Sequence, residues 1–160
     1  MNKKNGVSGL ILMVVLATVM VSGCIGSDSS TNDSSTNNDK FPKAVTFQGV
    51  TFNLPDGYTL KDEVTDGNVL YQSYESGSSG IGLFYYPSIS KTQLFSNMRS
   101  NPSYTNVQTV DYGGVSGLSA DYSGEGTSAK IFAFEKNGKA FSITLSDDLS
   151  LSEYIPKILG

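Results

Sequence analysis

The sequence has no histidine, no tryptophan and a single cysteine, Cys24, in 160 residues. These absences exclude Ser-His-Asp and Cys-His catalytic pairs, zinc sites built on histidine and cysteine, and an internal disulfide. Basic residues are also scarce, since 11 Lys and Arg stand against 15 Asp and Glu for a formal charge of −4. Nucleic-acid binding requires a basic surplus, so nucleic acid is not an expected partner.

Long apolar runs are missing except near the N-terminus. Lys3 and Lys4 precede residues 10–21, which are apolar apart from Thr18. A charged start followed by roughly 7–15 apolar residues is typical of a secretory signal peptide. The sequence therefore predicts export of the chain that follows.

The apolar run ends in Val21-Ser22-Gly23-Cys24. This segment resembles the lipobox of prokaryotic lipoproteins, although valine stands where leucine is most common, three residues before the cysteine. The resemblance implies that residues 1–23 are removed as a signal peptide and that the Cys24 thiol carries a diacylglyceryl group. Two acyl chains anchor a protein stably, which predicts a location on the extracytoplasmic face of the cell membrane.

An uncleaved transmembrane anchor is the alternative for the same segment. A spanning helix needs about 20 apolar residues. The run at residues 10–21 is shorter than this, although residues 7–25 could extend it. In both interpretations the rest of the chain lies outside the cytoplasmic membrane.

Residues 27–39 contain only Ser, Thr, Asn and Asp. Such a segment has no apolar side chain to bury, so residues 24–40 are predicted to form a lipidated cysteine followed by a disordered tether. Asn32-Asp33-Ser34 fits the N-glycosylation pattern, which makes Asn32 a candidate acceptor. The motif is short and is expected to occur by chance in such a tract.

All 8 Phe and 9 Tyr follow residue 40, so residues 41–160 are predicted to form one domain. Turn sequences such as Pro55-Asp56-Gly57 and Asn137-Gly138 separate β-rich segments and indicate hairpins. Residues 140–145 alternate in a way that predicts one buried and one water-tolerant face, whereas residues 131–134 are apolar on both faces, as in a central strand.

Two segments have the pattern of helices. Ser90 and Gln93 have capping-box spacing ahead of an apolar stripe that ends at Asn101-Pro102. Ser150 and Glu153 repeat that spacing, but Pro156 predicts either a kink or a helix that begins near residue 155. The expected fold class is α+β: an antiparallel sheet built from hairpins, with a mid-domain helix and a C-terminal helix.

The order of these segments resembles the PsbP/Mog1-like α/β fold. The likeness rests on Phe52-Asn53-Leu54-Pro55-Asp56-Gly57-Tyr58, Gly114-Val115-Ser116-Gly117 and Phe132-Ala133-Phe134, followed by residues 138–143 and a terminal helix. That group includes photosystem extrinsic subunits, a nuclear-transport factor and small lipoproteins. Its members share no catalytic site, so the resemblance implies a binding or assembly role and no active residue.

Carboxylates are candidates for acid–base chemistry or calcium binding. Asp62, Glu63 and Asp66 precede a turn, and Asp147 and Asp148 precede the last helix. The first cluster lacks the spacing of a calcium loop, and turn formation and helix-terminus electrostatics already account for Asp66 and Asp148. We therefore expect no catalytic residue, no metal and no cofactor.

Tyr71, Tyr74, Tyr85 and Tyr86 are the candidate ligand-binding residues, because tyrosine combines an apolar ring with a polar tip. Cross-strand packing of aromatic residues is the alternative, and Tyr71 and Tyr74 cannot share a face of one strand. The sequence thus predicts an exported, lipid-anchored, non-catalytic binding module for an envelope protein or small ligand. The alternatives are a structural surface-display accessory and a carboxylate-dependent envelope hydrolase.

Overall fold

The computed structural model describes residues 41–65, 67–124 and 126–160. In these ranges the chain forms nine strands and two helices. The elements in chain order are β1 (Lys43–Phe47), β2 (Val50–Leu54), β3 (Thr59–Val64), β4 (Leu70–Ser76), β5 (Ser79–Tyr86), α1 (Lys91–Ser100), β6 (Tyr104–Tyr112), β7 (Val115–Gly124), β8 (Thr127–Lys136), β9 (Lys139–Leu145) and α2 (Leu151–Leu159).

The strands form a two-stranded sheet, β1-β2, and a seven-stranded sheet in the order β3-β4-β5-β9-β8-β7-β6. Each pairing between neighbours is antiparallel. Five of the six pairings in the large sheet join consecutive strands. The sixth joins β5 to β9, which are neighbours in the sheet although α1 and strands β6 to β8 lie between them in the chain. The predicted α+β class, with antiparallel hairpins, a mid-domain helix and a C-terminal helix, is confirmed.

The hairpin turns have the backbone conformations that their residues favour. Asn137 and Gly138 join β8 to β9 with φ values of 56° and 71°. Positive φ at both central residues is the requirement of the type I′ turn, which Asn-Gly meets at low cost. Gly57 ends the turn after β2 with φ 80°.

The central strands β8 and β9 are buried on both sides. The pair Phe134–Phe141 lies on one side, which we call the aromatic face, and Ala133–Ser142 lies on the other, the small-residue face. The prediction that the second face of β9 tolerates water is wrong for Ala140 and Ser142, each 3% exposed. Helix α1 packs against β9 and β8 and removes that face from solvent.

The aromatic face is covered by the β1-β2 hairpin and helix α2. Phe141 has its ring centroid 5.8 Å from that of Phe52 and 6.4 Å from that of Phe47, so it joins the hairpin to the large sheet. Ile155 and Ile158 of α2 are fully buried in the same cluster. The sequence predictions did not include β1, although residues 43–47 are followed by a Gln48-Gly49 turn.

The two helices begin differently. Ser90 caps α1 with the predicted capping box, since its hydroxyl accepts from the Gln93 amide and the Gln93 side chain accepts from the Ser90 amide. Ser150 precedes α2 without a side-chain cap, because its hydroxyl bonds to that of Ser152. Pro156 lies inside α2, so the predicted start near residue 155 is wrong.

Several lysines fasten the covering elements to the sheet through backbone carbonyls. Lys139 Nζ donates to the Gln48 carbonyl at 2.7 Å and thereby holds the β1-β2 turn. Lys130 Nζ donates to the Leu149 carbonyl at 2.8 Å, and Lys136 Nζ donates to that of Leu159 at 3.1 Å, which ties both ends of the α2 segment to β8. The three lysine ammonium groups therefore hold the covering elements against the sheet.

Candidate functional site

The four candidate tyrosines are divided between the two faces of the large sheet. Tyr71 pairs with Phe84, and Tyr86 pairs with Ala140, which places both tyrosines on the small-residue face. Tyr74 and Tyr85 occupy the alternate positions and lie on the aromatic face. The four side chains therefore do not form one surface, because successive residues of a strand point to opposite sides.

Tyr74 and Tyr85 contribute to packing on the aromatic face. Tyr74 is 4% exposed, and the Lys43 ammonium lies 5.7 Å from its ring centroid. Tyr85 packs against Phe141 with a centroid distance of 5.3 Å. The Lys139 ammonium that holds the hairpin turn lies 5.7 Å from the Tyr85 ring.

Tyr86 is buried on the small-residue face. Its hydroxyl and that of Ser142 lie 3.0 Å apart in a buried hydrogen bond. Burial raises the pKa of the Tyr86 hydroxyl to about 12, although the bond to Ser142 acts in the opposite direction. A group held in this way is not positioned to meet a ligand from solvent.

Tyr71 is half-buried and lies in the part of the small-residue face formed by β3, β4 and β5, outside the β6, β8 and β9 area against which α1 packs. Its ring stacks on that of Phe84 with a centroid distance of 5.5 Å and an interplanar angle of 27°. Its hydroxyl donates to Asp62 Oδ2 at 2.8 Å. Val64 of the neighbouring strand β3 pairs with Tyr71, lies on the same face of the sheet, and is 36% exposed.

We call Asp62, Val64, Tyr71 and Phe84 the open patch. It combines the half-buried Tyr71 ring, stacked on the buried ring of Phe84, with a branched aliphatic side chain and one carboxylate on three neighbouring strands. Burial raises the Tyr71 pKa, and the hydrogen bond to Asp62 and the charge of Asp62 act in the same direction. The Tyr71 hydroxyl therefore stays protonated at neutral pH, and the patch offers apolar contact with a polar rim.

The candidate carboxylates do not converge. Asp62 accepts from Tyr71 on the small-residue face, whereas Glu63 accepts from Gln72 Nε2 at 2.6 Å on the aromatic face. Neighbouring residues of a strand point to opposite sides, so this pair cannot act on one substrate atom.

The second carboxylate pair is divided in a similar way. Asp147 accepts from the Ser128 hydroxyl at the start of β8, and Asp148 accepts from the Ser79 hydroxyl at the start of β5. Hydrogen bonds from Ser79 and Ser146 lower the Asp148 pKa. Among the described residues, no three Cys, Asp or Glu side chains are grouped in a way that could hold a metal ion.

The sequence did not indicate two of the residues of the open patch, Val64 and Phe84, or the exposed Leu60 on the opposite face of the same strand. Leu60 and Val64 are the large apolar side chains most exposed in the described part of the chain, at 48% and 36%. Their strand, β3, has six exposed residues, and the Lys-Asp-Glu sequence at its centre is a signal of an edge strand.

Several predictions concern residues outside the described ranges. These are the signal peptide, the lipidation site Cys24, the tether with its acceptor Asn32, and Asp66. In the ranges described, no helix is both long enough and apolar enough to cross a membrane.

Comparison with known proteins adds little to this geometry. No protein family matches the chain, and no curated protein matches it. One solved structure that is similar is a protein of unknown function from Pseudomonas aeruginosa, with 13% identity, coverage of 71% of this chain and 88% of that one, and a TM-score of 0.34. A likeness at that level carries no argument about function, and the resemblance to the PsbP/Mog1-like fold stays a prediction.

Proposed function

We propose that this protein is an exported, lipid-anchored binding or assembly module on the extracytoplasmic face of the cell membrane, without catalytic activity. The observation that carries the binding role is the open patch, where the Tyr71 ring is half-buried on Phe84 beside the exposed Val64. The proposal joins two parts, an anchor and a recognition surface, and each has its own test.

The anchor rests on the N-terminal sequence. Two lysines, a short apolar run and Ser22-Gly23 before the sole cysteine follow the order that export and lipid transfer require. A diacylglyceryl group on Cys24 would suffice for stable attachment. Residues 27–39 would then separate the domain from the lipid headgroups.

The recognition surface rests on the side chains that the domain leaves accessible. Tyrosine is favoured at interfaces because its ring supplies apolar contact while its hydroxyl keeps a polar partner. In the open patch this partner is Asp62, at 2.8 Å. The candidate carboxylates bond to separate groups, so the geometry favours binding over the hydrolase alternative.

The anchor is tested by the intact mass of the full chain extracted from membranes of a host able to lipidate it. The expected mass is that of residues 24–160 plus a lipid adduct, and the adduct should be lost in Cys24→Ala. The mass of all 160 residues without an adduct, lowered in Cys24→Ala only by the sulfur atom that the substitution removes, would instead establish an uncleaved anchor.

The recognition surface is tested by photo-crosslinking in intact cells that export the full chain. A photoreactive phenylalanine analogue replaces Tyr71 in one variant and Tyr112, half-buried on the aromatic face, in the control. A defined adduct from position 71 that is absent at position 112 supports the open patch. Equal labelling at both positions, or none at position 71, argues against it.

A further inference from the structure

Strand β3 forms one edge of the large sheet. All six of its residues are exposed, and in the described ranges it pairs only with β4. As an edge strand it presents backbone N–H and C=O groups on its outer side, together with the exposed side chains of Leu60 and Val64. The Glu63 N–H donates to Asp62 Oδ1 at 3.0 Å, and a second strand would have to displace this local bond to pair there.

The opposite edge of the sheet is different. Both helices pack against β6, and four of its nine residues are half-buried. A backbone partner would therefore meet less obstruction at β3 than at β6.

An irregularity divides β3 into two halves. Its register against β4 shifts between Leu60 and Asp62, so Lys61 is the extra residue of a bulge. Lys61 Nζ lies 3.9 Å from a Glu75 carboxylate oxygen, on the small-residue face that Asp62 also occupies. Both bulge residues therefore lie on the same face. As a result, the alternation of side chains shifts by one residue at the bulge: Thr59 before it, and Asp62 and Val64 after it, all lie on the small-residue face.

We propose that β3 pairs antiparallel with β3 of a second copy of this chain, joining the two large sheets across a two-fold axis. The register that pairs all six residues places Thr59 opposite Val64, Leu60 opposite Glu63, and Lys61 opposite Asp62 of the other copy. Each of these contacts occurs twice, as an interface between identical surfaces requires.

The bulge makes this register sterically consistent. Directly opposed residues of an antiparallel pair must lie on the same face. Thr59 and Val64 both lie on the small-residue face, and Leu60 and Glu63 both lie on the aromatic face. In a strand without the bulge, each of these pairs would point to opposite sides, so the fully overlapping register would be excluded.

The charges of β3 favour the same register. Lys61 of each copy opposes Asp62 of the other, and opposite charges at directly facing positions stabilise a sheet. Glu63 faces Leu60, so no two carboxylates are opposed. The apolar side chains of Leu60 and Val64, exposed in one copy, gain cross-strand neighbours in the pair.

This inference goes beyond the proposed function and does not depend on it. Pairing through β3 does not use Cys24, and of the four residues of the open patch it engages only Asp62 and Val64, which lie on β3. Attachment of both copies to one membrane would raise their effective concentration and so strengthen a weak contact.

The test is the oligomeric state of the full chain in mild detergent, measured by native mass spectrometry over a concentration series. Lys61→Glu and Asp62→Lys each create two like-charge contacts and should weaken the dimer at least about tenfold. The double variant Lys61→Glu/Asp62→Lys restores the opposed charges and should restore the dimer. Lys91→Glu on α1 changes the net charge as Lys61→Glu does, and should leave the dimer intact.

Hydrogen exchange gives a second measurement that needs no substitution. The amides of residues 59–64 should become more protected as concentration rises, while those of β6 should not change. A chain that stays monomeric to its solubility limit overturns the proposal. So does a dimer that Lys61→Glu leaves intact, or a double variant that stays monomeric while its circular dichroism matches the wild type.

Discussion

The two faces of the large sheet are both buried at β8 and β9, but they are built from different side chains. The aromatic face presents Phe132, Phe134 and Phe141 to a hairpin and helix α2. The small-residue face presents Ala133, Ala140 and Ser142, and α1 packs against the same strands. Large rings on the aromatic face contact β1, β2 and α2. The small-residue face is covered by α1 over only part of its area.

The difference shows how one sheet can combine a core with an accessible surface. Large rings each bury a large apolar area, and this side is covered by the hairpin and α2, which lysine contacts to backbone carbonyls hold in place. Small residues leave room for Leu94 and Met98 of α1 and for the ring of Tyr86. Toward β3 that face remains accessible and carries the open patch.

The largest expected effect comes from Phe141→Ala on the aromatic face. Phe141 is 1% exposed and contacts rings from β1, β2, β5 and β8. Its removal leaves a cavity among them and should lower the free energy of unfolding by about 3–5 kcal/mol. Urea denaturation of the full chain measures this, with the half-buried Phe95→Ala on α1 as the control. Equal losses in both variants would show that the aromatic face is not the principal core.

A smaller effect is expected from alkaline pH on the small-residue face. The Tyr86 pKa is raised from 10 to about 12 in the folded state, so the unfolded chain loses this proton first. The stabilisation is complete below pH 10 and is lost as pH rises toward 12, at a cost of about 3 kcal/mol.

Tyr86→Phe isolates that contribution. The variant should show a shallower fall in the free energy of unfolding between pH 10 and 12, measured by urea denaturation at each pH. The stability of each protein below pH 10 serves as its own reference, because the variant lacks the hydrogen bond to Ser142 at every pH. Identical slopes in the variant and the wild type would contradict the assignment.

The smallest expected difference compares the helices that cover the two faces. Ser90→Ala removes a side-chain cap from α1 and should destabilise the protein by about 1 kcal/mol. Ser150→Ala before α2 removes no such cap and should cost much less. Thermal unfolding of both variants measures the contrast, and a larger loss for Ser150→Ala would reverse the assignment of caps.

Much of this architecture could be predicted from local sequence. Asn137-Gly138 and Pro55-Asp56-Gly57 predict turns that the structure contains. The capping box at Ser90 was also predicted, because its hydrogen bonds join residues three positions apart. The same spacing at Ser150 did not produce a cap, since the hydroxyl of Ser152 is a competing partner.

The candidate site was less predictable. The sequence indicates the four tyrosines as candidates, but the separation of Tyr71 from buried Tyr74 and Tyr86 depends on what covers each face. Ser142 and Ala140 were expected to tolerate water, and only the position of α1 explains their burial. The importance of Val64 follows from its place on an edge strand, which local sequence does not specify.

The sequence by itself determined the hairpins of the large sheet, the two helices and the α+β class, because these depend on turn chemistry, alternation and capping over a few neighbouring residues. Only the tertiary structure decided that β5 pairs with β9, which brings Ile81 opposite Leu145. That contact, between residues distant in the chain, orders the sheet, leaves β3 at its edge and places Tyr71 on the accessible part of one face. The physical basis of the β5–β9 pairing is the simultaneous burial of both sides of β8 and β9, by the β1-β2 hairpin and α2 on one side and by α1 on the other.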